Sequence, residues 1–199
     1  MTAPAELVYI VGQEIIRRCP DCTVFVIEST PLNATLMYAH HGYLGMPWTL
    51  IDTDKLDDFY VSQIEDPYFP ELILPRPVQD AVLVSIAMMK EHSLFVYTGA
   101  MKNLFGLPPI KPYSSDGIHK DKFHSPDRKA SIVAINKHKP IDLAIIDGSI
   151  GGRRNEFDGE AANPPIGKIV AGTDALEADR AAALLLGIFP DEVPHLRRM

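Results

Sequence analysis

The run from Ala81 to Met89 is apolar but for one serine, and it stops abruptly at charge and glycine. A run of that length, rich in Val, Leu and Ile, reads as a buried strand. A strand buried on both faces needs layers above and below it, so the chain is expected to build a layered sheet covered by helices. Where the run ends, Lys90, His92, Gly99, Lys102, Asn103 and Gly106 crowd between positions 90 and 106. Ligands of such folds bind beyond the carboxyl ends of the strands. A cationic, glycine-bearing segment at that point is a candidate site for an anion or a metal.

The rest of the chain alternates in the same way. Pro4 to Arg18 spaces Leu7, Val8, Val11, Ile15 and Ile16 as a helix. Strands are expected at Thr23–Glu28, Thr49–Asp52, Asp142–Asp147 and Lys168–Gly172, with an edge strand at Phe59–Gln63. Helices are expected at Ala34–His41, at Ser125–Asn136 with Ser125 capping and Pro126 first, and at Asp174–Leu186 with Asp174 and Glu177 as a capping box. Gly151 to Pro165, with Arg153, Arg154, Glu156 and Asp158, reads as a long loop. The expected fold is α/β, a mixed and largely parallel sheet flanked by helices. It would form one domain over residues 1–199, with residues 53–80 as a small irregular lobe.

Composition narrows the function. The 199 residues carry 26 acidic against 19 basic side chains, a net charge of −7. That argues against a general nucleic-acid binder, which needs a basic surface. No apolar run is long enough to cross a bilayer, and no leader pattern opens the chain, so a cytoplasmic protein without membrane contact is expected. The two cysteines form Cys19-Pro20-Asp21-Cys22 after a helical pattern and before a strand, the reverse of the thioredoxin order. A turn with incidental thiols is favoured over redox or metal work.

Several residues carry candidate chemistry. Lys102 is a compact charge suited to carboxylate or phosphate, and Gly99 and Gly106 allow close backbone approach. The plain alternative is a helix with Leu104 and Phe105 in the core and Lys102 in water. His92, with Lys90 and Lys102 nearby, has its charged form disfavoured and suits a base or metal ligand. His119 and His124, interleaved with Lys120 and Lys122, form a second cationic wall and a candidate metal pair, or a solvated basic loop. Glu28, Asp147 and Asp174 fall at strand ends, and Asp174 is more simply a helix cap. Glu28 has no local role as a cap, which makes it the better carboxylate candidate. The His40-His41 pair suits the carbonyls of a helix end.

The segment "TGAMKNLFGLPP", after "MKEHS" and before a histidine-bearing loop, resembles an uncharacterised prokaryotic family, domain of unknown function 362. Upstream "PAELVYIVGQEIIRR" and "TVFVIEST", and downstream "IDLAIIDGSIGG" and "GKIVAGTDALEADRAAALLLGIFP", resemble its early and closing elements. The resemblance implies a fold and a site more than a reaction. Relatives begin with another strand bearing a lysine–proline–asparagine motif, and often carry iron–sulfur clusters in added segments. Two cysteines cannot supply the four usual ligands of such a cluster. A sheet without that first strand would expose an edge, so a homo-oligomer is expected. A shorter pattern resembles lactate racemase, which uses a nickel-pincer cofactor: His92 stands ten residues before Lys102, and His119 seventeen after it.

Two functional expectations follow. One is an enzyme whose Lys90, His92, Lys102 and Asn103, with one of His119 and His124, bind a small carboxylate or phosphorylated compound, with Glu28 and Asp147 as carboxylates and Gly99 in the ligand wall. Proton abstraction beside a carbonyl suits that set. The other is a non-catalytic ligand-binding or scaffold module that partners an iron–sulfur protein. The sequence specifies no cofactor.

Overall fold

A computed structural model describes residues 3–124, 128–155 and 159–197. Helix α1 (Ala5–Arg18) starts at Pro4, whose fixed φ suits a helix entry. Glu14 near its end pairs with Arg17 and Arg18 at 2.7 and 2.5 Å. The thiols that follow are joined: Cys19 and Cys22 form a disulfide. Strand β1 (Phe25–Glu28) leads to α2 (Ala34–His40), which Asn33 caps by accepting from Leu36 N at 3.3 Å. The chain returns as β2 (Thr49–Asp52), parallel to β1.

Next come β3 (Phe59–Gln63) and β4 (Glu71–Pro75), an antiparallel ribbon within the stretch expected to be irregular. Leu72 and Leu74 of the ribbon are fully buried in the main core.

The larger sheet is built on β5 (Val84–His92) and β7 (Leu143–Arg153), which run parallel. Strand β6 (Val96–Thr98) pairs antiparallel with the end of β5. Strands β8 (Glu160–Ala161) and β9 (Lys168–Gly172) pair antiparallel with β7. The α/β class with mixed pairing is as expected, and its parallel ladders are β1–β2 and β5–β7.

Strand β1 begins two residues later than expected and α4 ends two residues later, and two strands of the larger sheet differ more. Strand β5 begins and ends three residues later than the apolar run, because Lys90, Glu91 and His92 pair with Thr98, Tyr97 and Val96 of β6. Lys90 and His92 therefore lie on the strand, not beyond it. Strand β7 continues past Asp147 through the glycines, since Gly152 and Arg153 pair with Ala161 and Glu160 inside the expected loop. Glu156, Asp158, Ser125 and Pro126 lie outside the described residues.

Helix α5 (Ala175–Leu185) packs on β7 and β9, and helix α4 (Arg128–His138) packs against the segment around Leu104–Gly106. Asp174 caps α5 as expected, accepting from Glu177 N at 3.0 Å. Between sheet and helices lies the main core, with Met89, Tyr97, Phe123, Ile132, Ile146 and Leu186 among its fully buried side chains. A second, smaller core of Val8, Ala34, Tyr38 and Tyr43 belongs to the α1–β2 unit. Among the described residues no helix is long and apolar enough to cross a membrane.

Candidate functional site

The short helix α3 (Ala100–Asn103) carries the central lysine, and it is held from behind. Asp179 of α5 is fully buried and aims its carboxyl at the start of α3. It accepts from Ala100 N at 2.7 Å, Met101 N at 2.9 Å and the Tyr97 hydroxyl at 3.3 Å. These are donors that a helix start leaves without internal partners. A methyl group on Gly99 would stand 2.0 Å from Asp179 Oδ1, so this glycine makes room for the carboxylate. Burial pushes the Asp179 carboxyl up to about 7, against the pull of its three donors.

In front of α3, the Lys102 ammonium lies 4.9 Å from the ring centre of Phe95 and 5.1 Å from that of Phe105. Cation–π attraction holds it in that aromatic notch. Phe95 also packs against the rings of His92 and His124, at 5.1 and 5.7 Å between centres. The His92 Nδ1 accepts from Leu94 N at 3.1 Å and Phe95 N at 3.3 Å, which closes the turn between β5 and β6. Just after that turn Val96, the first residue of β6, adopts φ +68°, a left-handed conformation that a β-branched residue rarely takes.

Glu28, at the end of β1, meets the same segment from the other side. A methyl group on Gly106 would stand 2.3 Å from Glu28 Oε1, so the second glycine of the motif also admits a carboxylate. Lys120 reaches in from its loop and donates to the Phe105 carbonyl, and to the Ser29 carbonyl at 3.4 Å. Asp54 completes the cluster, accepting from the Ser29 hydroxyl and from Ile110 N, both at 2.6 Å. Burial pushes Glu28 up to about 7, with the Lys120 charge opposing. Burial likewise pulls Lys120 down to about 8, with Glu28 and Asp54 opposing. Desolvation has moved both groups of an acid–base pair toward neutrality.

These groups edge one cleft of about 990 Å³, mostly apolar along its length. Glu28, Lys90, Lys102, Asn103, His119 and His124 all line it, as does Lys120. Asn103 is oriented by its amide, which donates to Ser85 Oγ at 3.2 Å and to the Ile86 carbonyl at 3.3 Å. The structure does not bring every candidate there. His92 stands behind Phe95 in its turn, Gly99 is packed on Asp179 and Tyr97, and Asp147 is buried on β7, where it accepts from Ser149 N. None of the three lines the cleft. His119 is turned to Asp116, with Nδ1 2.7 Å from Oδ2, and its side chain is largely exposed. Among the described residues no three His, Cys, Asp or Glu side chains converge as a metal ion would require.

Two participants had no signal in the sequence. Asp179 sits among alanines in a helix, where an acidic residue ordinarily faces water. His195 is 2% exposed, and among the described residues neither ring nitrogen has a hydrogen-bond partner. Burial first, and then the charges of Lys102 and His92, depress its pKa to about 3. Its imidazole is neutral throughout the ordinary pH range.

A model of the family described as "Domain of unknown function (DUF362)" matches residues 2–184. The chain belongs to this family. The DUF362 match takes in β1, the α3 motif, Lys120 and Asp179 together, so every part of the cluster except His195 falls within it. No curated protein matches the chain. The expected likeness to lactate racemase is not shown by the comparisons.

Proposed function

We propose that this DUF362 protein is an enzyme whose cleft binds a small organic anion, a carboxylate or a phosphorylated compound, at its polar end. The Glu28–Lys120 pair carries the reading. A carboxyl and an ammonium, both desolvated and both displaced toward neutrality at the end of a cleft, are what proton transfer at neutral pH requires. Lys102, fixed in its aromatic notch, supplies the cation for the ligand, and Asn103, its amide spent on Ser85 and Ile86, shapes the wall beside it. Glu28, its carboxyl raised by burial toward the neutral range, is placed to take a proton from carbon beside a carbonyl or to return one. His119 and His124 stand at the rim of the cleft.

Sulfate is the probe that tests the reading. At equal ionic strength it raises the melting temperature more than chloride does, because it binds the folded state alone. Lys102→Ala removes most of that difference. An anion beside Glu28 further disfavours its ionised form, so sulfate binding near pH 7 draws a proton from the buffer. Calorimetry in two buffers of different ionisation enthalpy detects that uptake in the wild type and finds none in Glu28→Gln. A wild type with no sulfate-specific shift, or a Lys102→Ala variant that keeps the full shift, refutes the assignment.

A further inference from the structure

The Glu28–Lys120 pair is joined through a residue that carries no charge. Ser29, one position beyond β1, is buried and turns its three polar groups in three directions. Its N–H donates to Glu28 Oε1 at 3.0 Å, its carbonyl accepts from the Lys120 ammonium at 3.4 Å, and its hydroxyl donates to Asp54 Oδ2 at 2.6 Å. A serine hydroxyl rotates to suit its surroundings. Here a short bond to a carboxylate fixes it, and ties the main chain that serves Glu28 and Lys120 to Asp54.

Asp54 reaches that place through the fold. Strands β1 and β2 are parallel and end level, with Glu28 beside Asp52. A single helical turn, Thr53–Lys55, follows β2, and Asp52 caps it by accepting from Asp54 N at 3.2 Å. The turn brings the Asp54 carboxylate to Ser29 at the end of β1. Its other oxygen, Oδ1, accepts from Ile110 N at 2.6 Å, just past the α3 motif. Asp54 thus fastens three stretches that are far apart in the chain. An asparagine could make the same two contacts, with its carbonyl on Ile110 N and its amide on Ser29 Oγ. What the aspartate adds is charge.

We propose that Asp54, acting through Ser29, is a positioning residue for the Glu28–Lys120 pair and sets the pH at which that pair exchanges protons. The inference rests on the reading of the pair as an acid and a base. A negative charge at Asp54 works on both partners in one direction. It opposes the ionisation of Glu28, and it opposes the loss of the Lys120 proton. Burial works on them in opposite directions, raising the carboxyl and lowering the ammonium. Desolvation therefore draws the two members together on the pH scale, and Asp54 moves them along it as a unit. Other groups face the pair as well. Lys102 of α3 favours the ionised form of Glu28. Tyr38 and Tyr43 are held above the usual tyrosine range by burial first and by the Glu28 charge second, so both stay neutral. His119, next to Lys120 in the chain, is turned to Asp116.

Asp54→Asn tests this in the free protein, with the Glu28 carboxyl followed by carbon NMR and the Lys120 ammonium by nitrogen NMR over a pH titration. Both midpoints should fall, each by at least about half a pH unit. A residue that only fastened the chain would give a different pattern. Its loss would let water into the cluster, so that Glu28 fell while Lys120 rose toward the value of an exposed lysine. Opposite movement of the two midpoints, or no movement of either, overturns the proposal. So does an equal fall of both in Asp57→Asn, an exposed acidic neighbour, since net charge would then account for the effect. The Ser29 link is read in the wild type and needs no variant to fold. The hydroxyl proton in its 2.6 Å bond to Asp54 should give a resonance slow to exchange with water, and its absence overturns the proposal too. In Asp54→Asn the pH of greatest sulfate-linked proton uptake should move down by the same interval as the Glu28 midpoint. A wild type that takes up no proton with sulfate sinks the acid–base reading of the pair, while the two midpoints still decide the role of Asp54.

Discussion

Asp179→Asn isolates the balance between burial and hydrogen bonding at the start of α3. In the wild type, Oδ1 serves Ala100 N and the Tyr97 hydroxyl while Oδ2 serves Met101 N. An asparagine with its carbonyl at the Oδ1 position keeps two of these bonds and sets an amide donor against Met101 N–H. The loss of one charge-assisted bond costs about 1.5–3 kcal/mol. At about pH 8 that cost is offset in part, because the variant no longer buries a charge. Burial holds the folded-state carboxyl near 7, well above its value in an unfolded chain. A raised carboxyl contributes stability that is full at low pH and is lost as pH rises through the folded value. At about pH 5.5, some 1.5 pH units below it, the wild type therefore gains about 2 kcal/mol relative to the variant. Urea unfolding followed by circular dichroism at the two pH values measures the difference. The variant's deficit should grow on acidification, the reverse of what a salt-bridged carboxylate shows. A deficit larger at about pH 8 than at about pH 5.5 would mean that the three donors outweigh burial, and would refute the reasoning.

Val96→Gly should stabilise the protein by about 1 kcal/mol, since glycine takes φ +68° without the steric penalty of a β-branched residue; an unchanged or lower urea midpoint counts against strain in the β5–β6 turn. His138 is buried, with Nδ1 2.9 Å from Ser62 Oγ and Nε2 2.9 Å from the Phe69 carbonyl, so it ties α4 to the β3–β4 ribbon. His138→Ala should cost about 2–4 kcal/mol through the emptied space and the two lost partners, with the ribbon amides losing exchange protection before the rest; uniform loss across the chain would deny the ribbon its dependence on that side chain.

Much of the framework was readable because local pattern and final structure agree. Thr49–Asp52, Phe59–Gln63 and Lys168–Gly172 are strands at the expected bounds, and Asp174 caps its helix. Where the reading slipped, the deciding interactions join residues far apart in the chain. Hydrophobic pattern reports which face is buried, not which edge is paired, so the polar end of β5 and the glycine-bearing end of β7 looked like loops. The two motif glycines were read as openings for a ligand; both instead admit a carboxylate of the protein, from Asp179 and from Glu28. Glu28, Lys102 and Asn103 were visible as residue types at strand ends, and Lys120 as part of a basic loop. Their convergence depends on contacts such as Lys120 with Ser29, 91 positions apart, which no local window contains.

The separation of the two cores bears on how the molecule comes apart. Among the described residues the α1–β2 unit shares no strand ladder with the larger sheet and has a small core of four buried hydrophobic side chains, against the broad main core. Its opening free energy is set by that small set of contacts, and lies toward the low end of the range found within one protein. A protease offered the native protein would therefore meet its earliest cleavable conformers among residues 5–52.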